Sequence, residues 1–335
     1  MKRVNRGWAI AGQIFAFLKD LPVGRYRVQI GLELRQAWLI NGTLFNSEVW
    51  HNINDSDIAH FVAIDQYLLR GLVKAHAKVP LEHLYLETAA LPIPYIVSSR
   101  RLLYLQKILH RSDEEITKQI YMCQYNNPSP GDWCNLVEED LNQIGIHMSK
   151  EHIASLSHFE YKKFIKEKVR STAFFNLEQI KSTHTKVQDN FYANLDSPQE
   201  YLTSKLFTNQ QCFLIFAMKS RTLRGVKNNF RNMYSDNTLC PLCERCIDTQ
   251  EHIILCQVLQ NCIAEDNALI YTHLTGTIEQ QSHFIASYEK LLEARDELLS
   301  EGSDPISSLP GLYSGPLQSK ARTNWTPALA SNGEH

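Results

Sequence analysis

Cys240-Pro-Leu-Cys243 is followed by His252 and Cys256, and the C-x2-C-x8-H-x3-C spacing could close four ligands around one zinc ion. Thiolates and imidazole favour tetrahedral Zn²⁺, and a pair of cysteines two residues apart is the turn that lets both sulfurs face one ion. With Cys240, Cys243, His252 and Cys256 all supplied by the chain, no coordination position stays open, so the expected metal is structural rather than catalytic. Cys246 and Cys262 lie close enough in sequence to replace one of the four. The plainer alternative is a group of reduced thiols with His252 simply packed or solvated.

A second candidate for chemistry is a run of cations. The formal net charge is −2, but from Lys219 to Tyr234 the chain carries Lys219, Arg221, Arg224, Lys227 and Arg231 with no acid among them. The run includes Phe230, ends at Tyr234 and leads directly into the cysteines, a combination suited to the backbone of RNA or DNA with little sequence preference. Lys162, Lys163, Lys166, Lys168 and Arg170 form a second basic group, which is more simply a solubilising helix face. The triplet Glu138-Glu139-Asp140 is expected on a solvated face, because successive helical residues point in different directions and do not pair as acid and base. No Gly-x-Ser-x-Gly elbow, phosphate loop or His-Glu-x-x-His helix occurs.

The elements that must position these groups are helices. Of 335 residues, 44% are hydrophobic and 21% charged, which suits a globular chain of two or three units. Its 8 cysteines are too few and too uneven for a secreted disulfide framework. The apolar run Trp8 to Leu18 lacks the features of a signal peptide, and no stretch approaches the roughly 20 apolar residues of a membrane span. A nuclear or cytoplasmic setting is expected. Periodicity predicts helices over Gly31 to Val49, over Ile58 to Leu72 after the caps Asn54 to Asp57, over Leu81 to Leu86 behind Pro80, and over Tyr95 to Leu109. Ser112-Asp-Glu-Glu115 has the form of a capping box starting a helix to Gln124, Trp133 leads another through Ile144, and Tyr161, Phe164, Ile165, Val169, Ala173, Leu177 and Ile180 form a stripe between His158 and Lys181. An acidic amphipathic helix is expected over His283 to Leu299, and a disordered tail after Ser303, where Pro, Gly, Ser and Asn accumulate.

Several phrases, in order from Arg6-Gly-Trp to about Cys256, carry a family resemblance. They are Gly24-Arg-Tyr26, Leu34-Arg35, Leu39-Ile-Asn-Gly-Thr-Leu-Phe-Asn-Ser-Glu-Val-Trp50, Asp65 with Leu68-Leu69-Arg70, Glu82-His-Leu-Tyr-Leu-Glu87, Ile93-Pro94, Arg100-Arg101, Tyr104-Leu105, Gly131-Asp-Trp133 and the Cys/His motif. In this order the sequence resembles the region downstream of the palm in non-LTR (LINE-type) retrotransposon reverse transcriptases. The resemblance implies a mainly α array of thumb and connection helices that grips template and product, followed by a small CCHC zinc module.

The expected division is a thumb-like helical region over 1–110, a basic helical connection over 111–235, the zinc module over 236–262, the acidic helix over 263–302 and a disordered tail over 303–335. The palm's paired aspartates are missing, since the chain contains no Asp-Asp dipeptide, and the family's endonuclease is missing too. The expectation is therefore a nucleic-acid-binding fragment without its own polymerase site. The alternative is a protein-interaction scaffold that uses the C-terminal helix, with the zinc as a staple.

Overall fold

The computed structural model describes residues 2–20, 26–51, 55–184, 187, 192, 195–223, 239–262 and 276–301. The fold is mainly helical, as the periodicity predicted, and among the described residues the only β pairing is a single antiparallel bridge between Leu239 and Ile247. No described helix is long and apolar enough to cross a membrane. The tail after 303 lies outside the described residues.

Helix α1 (Lys2–Asp20) crosses the helix over Asp55–Leu72, burying Ala11, Ile14 and Leu18 against Ile64, Leu68, Leu69 and Leu72. Between them runs a helical path in which α2 (Arg27–Leu34) passes into π-helical turns over Arg35–Ile40 and then α3 (Asn41–Thr43). We number the Asp55–Leu72 helix α4. Close approach at these crossings explains glycines inside helices: a Cβ on Gly31 would stand 2.2 Å from Leu72 Cδ2, and one on Gly71 would stand 2.3 Å from Phe15 Cζ.

The π turns also change what the sequence led one to expect there. A π turn holds more residues than an α turn, so the buried stripe slips around the helix. Trp38 ends 42% exposed, while Arg35 is carried inside. There Nε and Nη2 of Arg35 donate to Asp65 at 2.5 and 2.8 Å, and Tyr85 donates to the same carboxylate at 3.1 Å.

Helices α5 (Leu81–Thr88) and α6 (Ile93–Leu109) follow, with Pro94 in the first turn of α6, where its missing N–H is harmless. Next come α7 (Ile116–Asn126), α8 (Trp133–Ile144), the short α9 (Lys150–Ser155) and α10 (His158–Ser182). Leu102, Leu105 and Ile108 of α6 share a second core with Val137 and Ile144 of α8 and with Tyr161, Ile165 and Val169 of α10. The start of α10 is fixed by a full capping box between Ser157 and Glu160.

Three expectations in this region are corrected. The box foreseen at Ser112 to Glu115 forms a turn instead, and α7 begins at Ile116, because Ser112 Oγ accepts from Glu114 rather than from an N3 amide. Asp140 is not solvated: it is 5% exposed, accepting from Arg101 Nη1 at 2.7 Å and Ser98 Oγ at 2.6 Å on α6. Ile180, assigned to the apolar stripe, is 48% exposed near the end of α10.

The chain closes with α11 (Glu200–Thr203), α12 (Asn209–Lys219), α13 (Gln250–Leu255), α14 (Gln257–Cys262) and α15 (Ile278–Glu301). The apolar residues of α12 and α15 join the α1–α4–α5 core, so the molecule's largest apolar cluster runs from the first helix to the last.

Candidate metal centre

Two short helices and a turn bring the four predicted ligands together. The Leu239–Ile247 bridge and the bond from Cys240 N to Cys246 O, 2.7 Å, close a tight loop around Cys240 and Cys243. Inside it Glu244 adopts φ +51°, a left-handed residue that turns the chain back on itself. The amides of Leu242 and Cys243 then face Cys240 Sγ, and those of Arg245 and Cys246 face Cys243 Sγ. Amide donors aimed at sulfur favour the thiolate, the form that binds metal. At Cys243 the Arg245 amide is the largest influence, and with the Cys246 amide and His252 it brings the thiol down to about 6. At Cys240 burial outweighs the amides and pushes the thiol up.

The other two ligands come from α13 and its end. Thr249 caps that helix by accepting from the His252 amide at 3.0 Å, which places the imidazole in the first turn. Cys256 leaves the helix in an extended conformation. The ligand atoms of Cys240, Cys243, His252 and Cys256 all lie within 4.8 Å of one another, with His252 Nε2 3.2 Å from Cys243 Sγ. Four ligands at ordinary zinc distances from a tetrahedral centre are separated by about 3.8 Å, so the group fits a metal ion without rearrangement of the fold. Cys240 and Cys256 are fully buried and His252 nearly so, while Cys243 is half-buried at the edge of the group. Cys246 is exposed and outside the group.

The centre is held from outside by contacts that spacing gave no sign of. Asp248, at 0% exposure, receives Arg295 Nη2 of α15 at 2.8 and 3.0 Å. Gln250 Nε2 donates to Met218 O of α12 at 3.0 Å, and Tyr288 Oη of α15 donates to Gln250 O at 3.2 Å. Ile253, Ile254 and Leu259 pack in one apolar cluster with Phe284, Ile285, Tyr288 and Leu291. The apolar face of α15 is thus covered within the chain. Only the Thr249-x-x-His252 cap was legible locally; Asp248 and Arg295 are 47 residues apart and had no shared signal.

The structure separates the basic residues that the sequence grouped. Lys219, at the end of α12, turns inward, its Nζ 2.5 Å from Glu87 Oε1 and its side chain 10% exposed. Arg221 faces outward at 45% exposure, 3.7 Å from Glu251. Arg224, Lys227 and Arg231 lie outside the described residues. Lys162, Lys163 and Lys166 are exposed on α10, while Arg170 is half-buried and binds Asp196. Compared with protein-family models, curated proteins and solved structures, the chain matches none.

Proposed function

We propose that this chain is a metal-stapled helical module that contacts the sugar-phosphate backbone of RNA or DNA, of the kind that follows the palm in non-LTR retrotransposon reverse transcriptases. Its metal would be zinc, held by Cys240, Cys243, His252 and Cys256: three soft thiolates and one imidazole suit Zn²⁺ better than oxygen-seeking cations. When bound, the ion supplies a rigid crosslink and no reaction chemistry.

The observation that carries the reading is where the basic run is tied down. The described residues on either side of it are held in the fold: Leu223 before it is 3% exposed and Cys240 after it is fully buried. Both ends of the segment bearing Arg224, Lys227 and Arg231 are therefore anchored, the second by the metal centre itself, and Arg221 stands exposed at its entrance. Cations presented on an anchored segment lose less entropy on meeting phosphates than cations on a free tail. The phrases behind the resemblance also occupy structural positions: Arg35 meets Asp65, and Glu87 meets Lys219 and Tyr201.

The test is binding of a labelled single-stranded oligonucleotide, as RNA and as DNA, followed by anisotropy across a salt series. Counterion release requires affinity to fall steeply with salt, and alanine at Arg221, Arg224 and Arg231 should weaken binding and flatten that slope without altering the thermal melt. Affinity indifferent to salt would refute the reading. Metal analysis of the purified protein should find one zinc per chain, retained in Cys246→Ser and lost in Cys243→Ser.

A further inference from the structure

The sulfurs of the Cys/His group are not equally sheltered. Cys240 and Cys256 are at 0% exposure, whereas Cys243 is half-buried at the edge of the group. A reagent arriving from solvent therefore meets Cys243 first. A cysteine that binds metal does so as thiolate, which is also the form that attacks soft electrophiles and peroxides. The sulfur best placed to be reached is thus one whose proposed role keeps it reactive.

A second sulfur stands behind it. Cys240 Sγ is within hydrogen-bonding reach of Cys243 Sγ, and all the ligand atoms of the group lie within 4.8 Å of one another. Cys240 and Cys243 share one turn, in which Glu244 N donates to Cys240 O at 2.9 Å, so joining their sulfurs calls for side-chain rotation rather than movement of α13. Cys256 approaches from the far end of α13. Cys246 is exposed and three residues from Cys243, but its sulfur lies outside the group, and its carbonyl accepts from Cys240 N at 2.7 Å. The turn therefore offers one accessible sulfur backed by one buried sulfur, the arrangement of an attacking and a resolving thiol.

We infer that Cys243 is an oxidation site for hydroperoxides, with Cys240 as its resolving partner, and that the disulfide they form discharges the metal. The Cys243 thiolate attacks the terminal peroxide oxygen; the O–O bond breaks, the other oxygen leaves as alcohol or water after taking a solvent proton, and Cys243 becomes a sulfenic acid. Cys240 then attacks the Cys243 sulfur, the S–O bond breaks, and hydroxide leaves as water with a second solvent proton. The two sulfurs together lose two electrons, the peroxide gains two, and the metal ion keeps its charge. His252 and Cys256 are left as half of a coordination shell, too few to retain zinc. The inference rests on the proposed zinc site for the ion released, and on the Cys/His group alone for the disulfide.

The experiment treats the full chain, its zinc first counted, with hydrogen peroxide. Zinc release is followed with a chromogenic chelator, and the cysteines are mapped by alkylation, trypsin digestion and mass spectrometry. Trypsin cuts after Arg231 and Arg245, so Cys240 and Cys243 share one peptide while Cys246 and Cys256 lie on the next. The expected product is the first peptide unalkylated and lighter by two hydrogens. Bound zinc should fall at least about tenfold in step with it, at the same rate in Cys246→Ser, and a dithiol with added zinc should reverse both changes. A disulfide joining the two peptides overturns the pairing. Cys240 and Cys243 that stay reduced while other cysteines oxidise overturn the site, as does zinc retained after the disulfide has formed. Protein that carries no zinc before peroxide refutes the metal reading instead, and the same peptide map still decides whether Cys240 and Cys243 are the oxidised pair.

Discussion

The helices from α1 to α10 and the segment 239–262 are stabilised in different ways. Helix α4 is 18 residues long and α10 is 25, enough turns for each to bury a continuous stripe. Between 239 and 262 the regular structure is one bridge and two six-residue helices, too short to persist on propensity or on their own apolar area. What that segment has instead is the Cys/His group and a set of anchoring hydrogen bonds to α12 and α15. The long helices bury stripes of their own, whereas 239–262 is held by side-chain groups that reach across it and out to α12 and α15. The segment carrying the Cys/His group nevertheless shares its apolar cluster with the first helices, so the group is joined to the main core rather than hung beside it.

The sharpest way to break this contrast is to remove the metal. Structural zinc is worth about 10 kcal/mol or more in isolated zinc-finger peptides, so chelation or Cys240→Ser should abolish hydrogen-exchange protection across 239–262. Because Asp248, Gln250 and Ile254 hold α15, protection of α15 should fall with it, while α4 and α6 keep theirs. Protection surviving in α15 would show that its docking stands without the metal. Next in size is Asp65→Ala, which strands the buried Arg35 guanidinium without its carboxylate and should cost about 3–5 kcal/mol in denaturant unfolding. Metal affinity should hardly change, since the deletion lies in the self-supporting region. An Arg35→Met, Asp65→Leu double variant should recover most of the loss.

A smaller effect depends on pH. His83 is fully buried, and its pKa is held well below 6.5, first by burial and then by the nearby Lys219 and Lys181 ammonium groups. Glu87 lies 4.0 Å from His83 Nε2 but is engaged by Lys219, and Tyr192 Oη meets Nδ1 at 2.5 Å. The unfolded chain takes up the His83 proton once the pH falls through 6.5, while the fold does not. The unfolded state therefore binds more protons below that point, and stability should decline as pH drops further, by up to about 1.4 kcal/mol per pH unit. The decline ends at the depressed folded value, and His83→Gln should remove this contribution from melts recorded between pH 6.5 and 5. Smallest is Thr249→Ala, which deletes the cap over His252 and should cost about 1 kcal/mol, seen as roughly fivefold weaker metal binding.

Much of this was legible one element at a time. The 3.6-residue stripes at Ile58 to Leu72 and at Tyr161 to Leu177 became α4 and α10, and the four-ligand spacing became a real cluster, because both signals are local and repeat within a few turns. Asp140 was misplaced because its neighbours Glu138 and Glu139 are solvent-facing, and only the approach of Arg101 from α6 makes its burial tolerable. Lys219 misled in the opposite sense: it belongs to a basic run in sequence, yet Glu87, more than a hundred residues earlier, draws it inward.

The sequence by itself determined the helical character, most helix positions and which cysteines and histidine cluster, since periodicity, capping residues and Cys/His spacing act over ten or so residues. Only the tertiary structure decided which charges are internal and that α15 shares one core with the segment carrying the Cys/His group. Those outcomes depend on surfaces that meet after the chain has folded back, and neither burial nor a charge partner has a local sequence signature.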